Sequence, residues 1–325
     1  MQPHVQTRIE RAARIERAAR TLREVAVTTP VLPCQAPDWA KGLGPVLLKC
    51  ENLQRTGSFK LRGAYVRVAA LAEDARARGV ATASAGNHGQ GVALAAARFG
   101  TRATVWMPAG APRTKVAATR ALGARVELVD AEVTGVLDQA RAMAAEQGLT
   151  WVHPFDDPDV IAGQGTVGLE LVRQLPELGT VVVPVGGGGL LAGVATAVKA
   201  HRPGVRVVGV QAAGAAAFAV SLAVGTPVTL DRVATMADGI AVARPGVLPL
   251  AMAATLVDQL VAVTEEELWR AMHHCWRELR LVAEPAGAAA LAGLAHLAGT
   301  PGPVVAVVSG GNIDHRLGAR LMAAA

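Results

Sequence analysis

Four segments of the 325-residue chain place reactive or anion-binding residue types beside glycine-bounded turns. In Lys49–Tyr65 (KCENLQRTGSFKLRGAY), Lys60 stands where a turn of Thr56, Gly57 and Ser58 gives way to a helix, directly after Phe59. Such a lysine is either a solvated helix start or an amine that partial desolvation activates for condensation with an aldehyde. In Thr82–Gly91 (TASAGNHGQG), the small residues Ser84, Ala85 and Gly86 precede Asn87 and His88. Backbone N–H groups exposed there, at the start of a helix, suit a carboxylate or a phosphate. Asn87 adds a side-chain hydrogen bond. His88 is either a general base or a structural donor, and we take it as a support residue.

The third segment, Val181–Gly193 (VVVPVGGGGLLAG), runs from an apolar strand through Gly186, Gly187, Gly188 and Gly189 into a helix. Four amides without Cβ obstruction at the positive end of a helix form an anion cup. The competing dinucleotide fingerprint G-x-G-x-x-G breaks at Leu191 or Leu190 when begun at Gly186 or Gly188. Begun at Gly187 it passes only in the permissive form ending at Ala192, and the next strand ends at Val210 and Gln211 rather than at the acid that would bind a ribose. No Gly-Lys-Ser/Thr follows, so a phosphate monoester is the ligand that remains. In the fourth segment, Val304–Asp314 (VVAVVSGGNID), Ser309 ends a buried strand. It is either an ordinary turn residue or a neutral hydroxyl partner for a ring nitrogen. Together the four loops specify an imine-forming amine, an anion cup, a carboxylate cradle and a partner for a heterocycle, the set expected of pyridoxal 5′-phosphate.

The elements that must position these loops are legible as alternation. Short Val-rich runs (Val46–Cys50, Gly79–Ala83, Ala103–Met107, Arg125–Val129, Thr150–Val152, Thr180–Pro184, Arg206–Val210 and Val304–Val308) alternate with Ala-rich stretches of helical length. Those stretches include Gly89–Phe99, Pro112–Leu122, Val133–Gln147, Leu190–Ala200 and Glu265–Leu279. Continuous rather than alternating apolar runs are typical of parallel strands covered on both faces, which predicts an α/β protein with doubly wound open sheets. Ligands of such sheets sit beyond the carboxyl ends of strands, where the four loops lie. No linker-like tract divides the chain, so a second lobe is expected as an insertion.

Composition removes other classes. With 51% hydrophobic and 18% charged residues, the chain is neither disordered nor a coiled coil. Half of the net charge of +6 comes from residues 1–24, where six arginines face three glutamates. The remainder offers no basic stripe and aromatics are only 3%, so no nucleic-acid partner is expected. Within that basic segment IERAAR at 9–14 recurs at 15–20, a duplication too short for a solenoid. The uncharged stretch Val207–Leu230 carries Gly209, Gly214, Gly225 and Pro227, and reads as a strand, a turn and a short buried helix rather than a membrane span. Cys34, Cys50 and Cys275 are too few and too scattered for a disulfide frame or a metal site. With an Arg-rich N-terminus lacking an apolar signal core, this predicts a cytoplasmic protein. The Ala/Val-rich helices predict a homodimer or homotetramer.

At this point the sequence resembles the pyridoxal-phosphate enzymes of the tryptophan-synthase β fold type (fold type II), and most of all the threonine/serine dehydratases, or threonine ammonia-lyases. The segments that carry the resemblance are GSFKLRGA around Lys60, SAGNHGQGVA at 84–93, HPFDDPDVIAGQGTVGLE at 153–170, PVGGGGLLAG at 184–193, ADGIAV at 237–242, EPAGAAALA at 284–292 and SGGNID at 309–314. The resemblance implies a discontinuous large domain of residues 1–50 and 150–325, a small domain of 51–149, and the cofactor in the cleft between them. It implies that Lys60 holds the cofactor covalently and takes the α-proton. Phe59 would pack on its ring, Asn87 would bond the ring hydroxyl, Gly186 through Gly189 would bind the phosphate, and Ser309 would meet the pyridine nitrogen. Gly239 and Glu284 fall near the cofactor. Ser84, Ala85, Gly86, Asn87 and His88 would hold the substrate carboxylate.

The implied reaction is β-elimination from L-threonine or L-serine to a 2-oxo acid and ammonia. The alternatives are another 3-hydroxy amino acid such as 3-hydroxyaspartate or phenylserine, a serine racemase, and a catalytically dead amino-acid-binding protein. Racemases of this kind carry a second serine where this chain has Ala85, which transfers no proton. Relatives that bind a divalent ion use acidic residues where this chain has Gln211 and Ala217, so no metal site of that kind is expected. Cysteine-synthase-like relatives show Ser-Gly-Asn-Thr-Gly in place of AGNHG at 85–89, which makes β-replacement remote. A chain this short is further expected to lack a C-terminal amino-acid-binding regulatory domain.

Overall fold

The structure, a computed structural model, describes residues 7–84, 86–130 and 133–323. Among these residues ten strands form two sheets. They are β1 (Val31–Cys34), β2 (Val46–Cys50), β3 (Val80–Ala83), β4 (Ala103–Pro108), β5 (Arg125–Val129), β6 (Thr150–Trp151), β7 (Thr180–Pro184), β8 (Arg206–Ala212), β9 (Gln259–Val263) and β10 (Val304–Val308). The larger sheet has the order β1-β2-β10-β7-β8-β9, and the smaller β5-β4-β3-β6. Every pairing is parallel except that of β1 with β2.

Alternate residues of one strand enter different cores, which is why the runs are continuously apolar. Val304, Ala306 and Val308 of β10 pack in one cluster with the helices Glu265–Arg277 and Pro285–Ala292, whereas Val305 and Val307 pack on the other face with Pro158–Gln174 and Gly189–His201. The smaller sheet repeats this arrangement, with Val105 and Met107 on one face and Trp106 on the other. Both faces are covered, as parallel sheets require.

The eight expected strands are present, with ends shifted by at most two residues. The edge strands β1 and β9 were not among them. β1 is largely half-exposed and contains Pro33, a residue tolerated at sheet edges, so neither alternation nor a solid apolar run marks it. The helix Pro158–Gln174 was not expected either. Asp157 caps it and Pro158 occupies its first turn, but Gly163, Gly165 and Gly168 disguise it as a loop. A methyl group at Gly163 would stand 2.5 Å from the Cα of Gly63, so the glycine permits the close crossing with helix Lys60–Ala69. The stretch 207–230 resolves into β8, a 3-10 turn at Ala213–Ala215 and the helix Ala217–Val224, in the expected order, but the helix is buried only on one side, at Ala217, Phe218 and Ser221, with Val220 and Val224 exposed. Among the described residues no helix is long and apolar enough to cross a membrane.

The helix opened by Lys60 sits where the two sheet systems meet. It packs on helix Asn87–Arg98, which covers the smaller sheet, and on Pro158–Gln174, which covers the larger. Its Val66 enters the core of the larger sheet, while Ala64 and Val68 enter that of the smaller.

Candidate active site

Lys60 is the first residue of its helix, and its Nζ donates to the carbonyl oxygen of Pro154 at 2.8 Å. Desolvation lowers its pKa from 10.5 to about 8, against an opposing pull from the carboxylate of Glu284. The chain after Pro154 leads directly to the glycine bend. The ring of Phe155 covers Gly187, and its backbone lies 3.0–3.1 Å from where a Cβ on Gly189 would stand. One hydrogen bond and one peptide unit therefore connect the lysine amine to the tetraglycine turn.

Gly188 has φ +93° and ψ −6° and precedes the helix Gly189–His201. A side chain there would be strained by the backbone and would overlap Phe218. Among the described residues none of the amides of Gly186, Gly187, Gly188 and Gly189 donates to a protein acceptor, so all four remain for an anion at the helix start. Gly239 is exposed on the turn Asp238–Ile240, whose buried Ile240 touches the Gly186 position with its backbone.

The second loop joins the end of β3 to the helix Asn87–Arg98. Ser84 Oγ accepts the Gly86 N–H at 3.2 Å, and Asn87 begins the helix Asn87–Arg98. Ala85 lies outside the described residues. The Asn87 carboxamide is held at both ends: its Nδ2 donates to Glu284 Oε1, and its Oδ1 accepts from Asn312 Nδ2 at 2.7 Å. Glu284 is buried, and burial together with the charge of Asp238 raises its pKa to about 7, against Lys115, Asn87 and Lys60. The buried His88 ring is lowered to about 3 by desolvation and by Lys60. Its Nε2 lies 3.1 Å from the Val152 carbonyl oxygen, which fixes Nε2 as the donor in the neutral ring. His88 is thus a supporting donor rather than a charged acid.

Ser309 is 4% exposed at the end of β10. Its carbonyl accepts the Phe59 N–H at 3.1 Å, and Ser58 bridges to Gly310, so the lysine loop and the serine loop pair directly. Among the described residues the Ser309 hydroxyl has only a long 3.4 Å contact, to Ala286 O. Phe59 lies beside Lys60, with the ammonium 5.3 Å from its ring centre.

Beneath the lysine lies a buried ionic network that the sequence did not announce. Arg62 grips Glu51 through Nε and Nη2, both at 2.8 Å, and Glu170 through Nη1 at 2.6 Å and Nη2 at 3.1 Å. Lys49 reaches the same Glu170 at 2.6 Å. Burial pushes the Glu51 carboxyl up, but Arg62 and Lys49 overcome this, and the net shift is downward. Pro154 and Asn312 also went unassigned in the sequence. Both lie inside recognised segments, but a backbone carbonyl has no residue-type signature, and Asn312 is masked by the neighbouring glycines.

Comparison with known proteins gives this geometry a family. The sequence pattern of the family described as pyridoxal-phosphate dependent enzyme matches residues 23–310. An L-threonine ammonia-lyase of Thermotoga maritima is 46% identical over 296 residues, covering 91% of this chain and 74% of that protein. Among solved structures, the processed form of threonine deaminase isoform 2 from Solanum lycopersicum superposes with a TM-score of 0.90 at 38% identity, covering 98% of this chain and 93% of that one. Maize serine racemase superposes equally well, with a TM-score of 0.90 at 33% identity over 96% of this chain and 97% of its own. The chain belongs to the pyridoxal-phosphate dependent enzymes, in the fold-type II arrangement of these neighbours.

Proposed function

We propose that the protein catalyses β-elimination from L-threonine, L-serine or both, yielding a 2-oxo acid and ammonia, with Lys60 as its catalytic residue. The observation that carries this reading is the desolvated Lys60 amine, joined through Pro154 and Phe155 to a bend of four glycine amides that have no acceptor among the described residues. The names of the similar proteins, an L-threonine ammonia-lyase and a threonine deaminase, support the choice of substrate.

The residues present fit pyridoxal 5′-phosphate. The amides of Gly186, Gly187, Gly188 and Gly189 suit its phosphate, Lys60 its aldehyde, and Asn87 its ring hydroxyl, with Glu284 and Asn312 orienting the carboxamide. Ser309 offers a neutral hydroxyl to the ring nitrogen, while Phe59 and Gly239 border the site. When bound, the cofactor supplies an aldehyde for amine condensation and a conjugated ring that stabilises charge at the α-carbon. Ser84, Ala85, Gly86, Asn87 and His88 receive the substrate carboxylate at a helix N-terminus. The lowered pKa of Lys60 leaves far more of its amine neutral near pH 7 than an exposed lysine would have, as removal of the α-proton requires. The neutral His88 ring holds the loop to Val152 and moves no proton.

The racemase neighbour shares the fold, so the fold does not discriminate. The sequence does, because the Ala85 methyl cannot return a proton to the opposite face. The same reading divides the chain into residues 1–50 with 150–325 and an inserted 51–149; the two sheets follow this division except at β6, Thr150–Trp151, which pairs with β3 of the smaller sheet. It includes a cytoplasmic homodimer or homotetramer, supported by exposed apolar side chains at Val220, Val224, Val247 and Leu248. The test is formation of 2-oxo acid by the cofactor-loaded protein from L-threonine, L-serine and L-threo-3-hydroxyaspartate. Oxo acid from threonine or serine is expected. Inversion of serine without oxo acid, or a protein that cannot be loaded with cofactor, would overturn the proposal.

A further inference from the structure

One buried cation in the cleft has no part in the chemistry above. Lys115, on helix Arg113–Ala121, is 7% exposed, and its ammonium pairs with Asp238. The helix lies against β5 of the smaller sheet, whereas Asp238 opens the turn whose Ile240 enters a core of the larger one, so the pair spans the cleft. Lys115 also borders the loop assigned to the substrate carboxylate. A Cβ on Gly86 would stand 3.7 Å from its Nζ and 3.8 Å from its Cδ. On the other side, Asn87, the residue after Gly86, donates to Glu284, whose carboxyl is affected by the charges of Asp238, Lys115 and Lys60.

The two partners differ in burial. The Lys115 side chain is 8% exposed and that of Asp238 is 52% exposed. A buried ammonium needs an anion beside it, whereas a half-exposed carboxylate returns to water at little cost. The arrangement therefore favours exchange of Asp238 for another carboxylate over permanent dependence on it. On the β-elimination reading, a substrate with its α-carboxylate on the 84–88 loop is held beside the Lys115 ammonium, which lies 3.7 Å from a Cβ on Gly86. Threonine and serine bring no second charge there, but 3-hydroxyaspartate brings a carboxylate.

We propose that Lys115 is a latent site for a second substrate carboxylate, and that Asp238 occupies it and thereby sets the preference for uncharged β-substituents. This rests on the β-elimination reading. In the native protein the distal carboxylate of 3-hydroxyaspartate must compete for the Lys115 ammonium with Asp238, which the chain tethers beside it, whereas an uncharged β-substituent meets no such competition. With Asp238 neutralised, that carboxylate pairs with Lys115. The elimination then removes the α-hydrogen and the β-hydroxyl as water, and one water hydrolyses the released enamine. The net conversion is of 3-hydroxyaspartate to oxaloacetate and ammonia.

The experiment compares cofactor-loaded native protein with Asp238→Asn, Asp238→Ser, Lys115→Met and the Asp238→Asn/Lys115→Met double variant, each confirmed folded by circular dichroism. The first readout is kcat/KM for L-threo-3-hydroxyaspartate relative to L-threonine. The second is calorimetric binding of the unreactive analogues malate and 3-hydroxybutyrate, which lack the amine. Neutralising Asp238 should raise the kcat/KM ratio and tighten malate relative to 3-hydroxybutyrate, each by about tenfold or more. The double variant should lose both gains. Equal changes for both substrates and both analogues would overturn the proposal, leaving Lys115 and Asp238 as a clasp between lobes. Absence of threonine and serine turnover in the native protein would sink the β-elimination reading instead, and the analogue pair would still judge the carboxylate site.

Discussion

Lys60 Nζ and the Pro154 carbonyl oxygen stand 2.8 Å apart, so the amine is held by a backbone acceptor rather than by a carboxylate. A carboxylate partner would keep the lysine protonated, whereas a carbonyl in a desolvated pocket tolerates the neutral amine. Replacing Lys60 with alanine should therefore lower turnover by at least about 10²–10⁴-fold, the usual contribution of a positioned acid–base group. It should also abolish covalent retention of cofactor, read after borohydride reduction as loss of the near-ultraviolet pyridoxyl absorbance that stays with the protein in gel filtration under denaturing conditions. Retained turnover in this variant would refute the role.

The same burial makes stability depend on pH in two opposite ways. Between about 8 and 10.5 the unfolded chain holds a proton on Lys60 that the folded chain does not, so the lysine's contribution favours folding above that window and is lost as pH falls through about 8. Glu284, raised from 4.5 to about 7, binds its proton more tightly when folded, so its contribution is present below 4.5 and lost as pH rises through about 7. In cofactor-free protein, Lys60→Met should flatten the alkaline rise in urea stability and Glu284→Gln should flatten the acidic fall. Each difference from wild type should be confined to its own window.

The φ of +93° at Gly188 makes the phosphate bend sensitive to a single methyl group. Gly188→Ala should cost about 1–2 kcal/mol for the left-handed backbone alone, before the displacement of Phe218. Cofactor affinity, measured by fluorescence titration, should weaken because the new methyl group meets Phe218 and Pro249 and must displace the bend. A substitution at Gly204, where a Cβ meets nothing within 4 Å, is the control.

What could be read from the sequence was the chemistry that residue type encodes. Lys60, the run from Gly186 to Gly189 and Ser309 follow apolar strands in locally biased composition, and each stands where that pattern puts it. What could not be read depends on long-range contact. Nothing in the type of Pro154 announces its carbonyl as the partner of a lysine 94 positions away. The arginine at 62 looks like any helix-surface charge until Glu51 and Glu170 are brought to it from distant elements. The glycines of Pro158–Gln174 look like breaks, because sequence does not show which helix will press against them.

Arg62 lies one turn or less from Lys60 on the same helix and is 1% exposed, with two carboxylates in its fork. Removing the guanidinium leaves Glu51 buried without its main counter-charge, so Arg62→Met should destabilise by about 3–5 kcal/mol. Lysine cannot reproduce two bidentate contacts, so Arg62→Lys should recover little of it. The double variant Arg62→Met/Glu51→Gln should be more stable than Arg62→Met alone, because the uncompensated charge is gone. Urea unfolding of the four proteins decides this, and a double variant no more stable than Arg62→Met would contradict it.

The duplicated IERAAR segment gives the last prediction. Both copies lie in one helix, Arg8–Thr21, opened by a capping box of Thr7 and Glu10. At 3.6 residues per turn a six-residue repeat advances by about 600°, so equivalent residues of the two copies point about 120° apart and cannot share a face. Ile9 is accordingly 81% exposed, whereas Ile15 is 2% exposed and packs against Gly165 of helix Pro158–Gln174. Ile9→Ala should leave unfolding within about 0.5 kcal/mol of wild type. Ile15→Ala should cost about 2–4 kcal/mol, as expected of a buried isoleucine truncated beside a glycine that cannot fill the gap. Equal effects at the two sites in thermal and urea unfolding would show that the copies are equivalent and that the helix does not dock in this register.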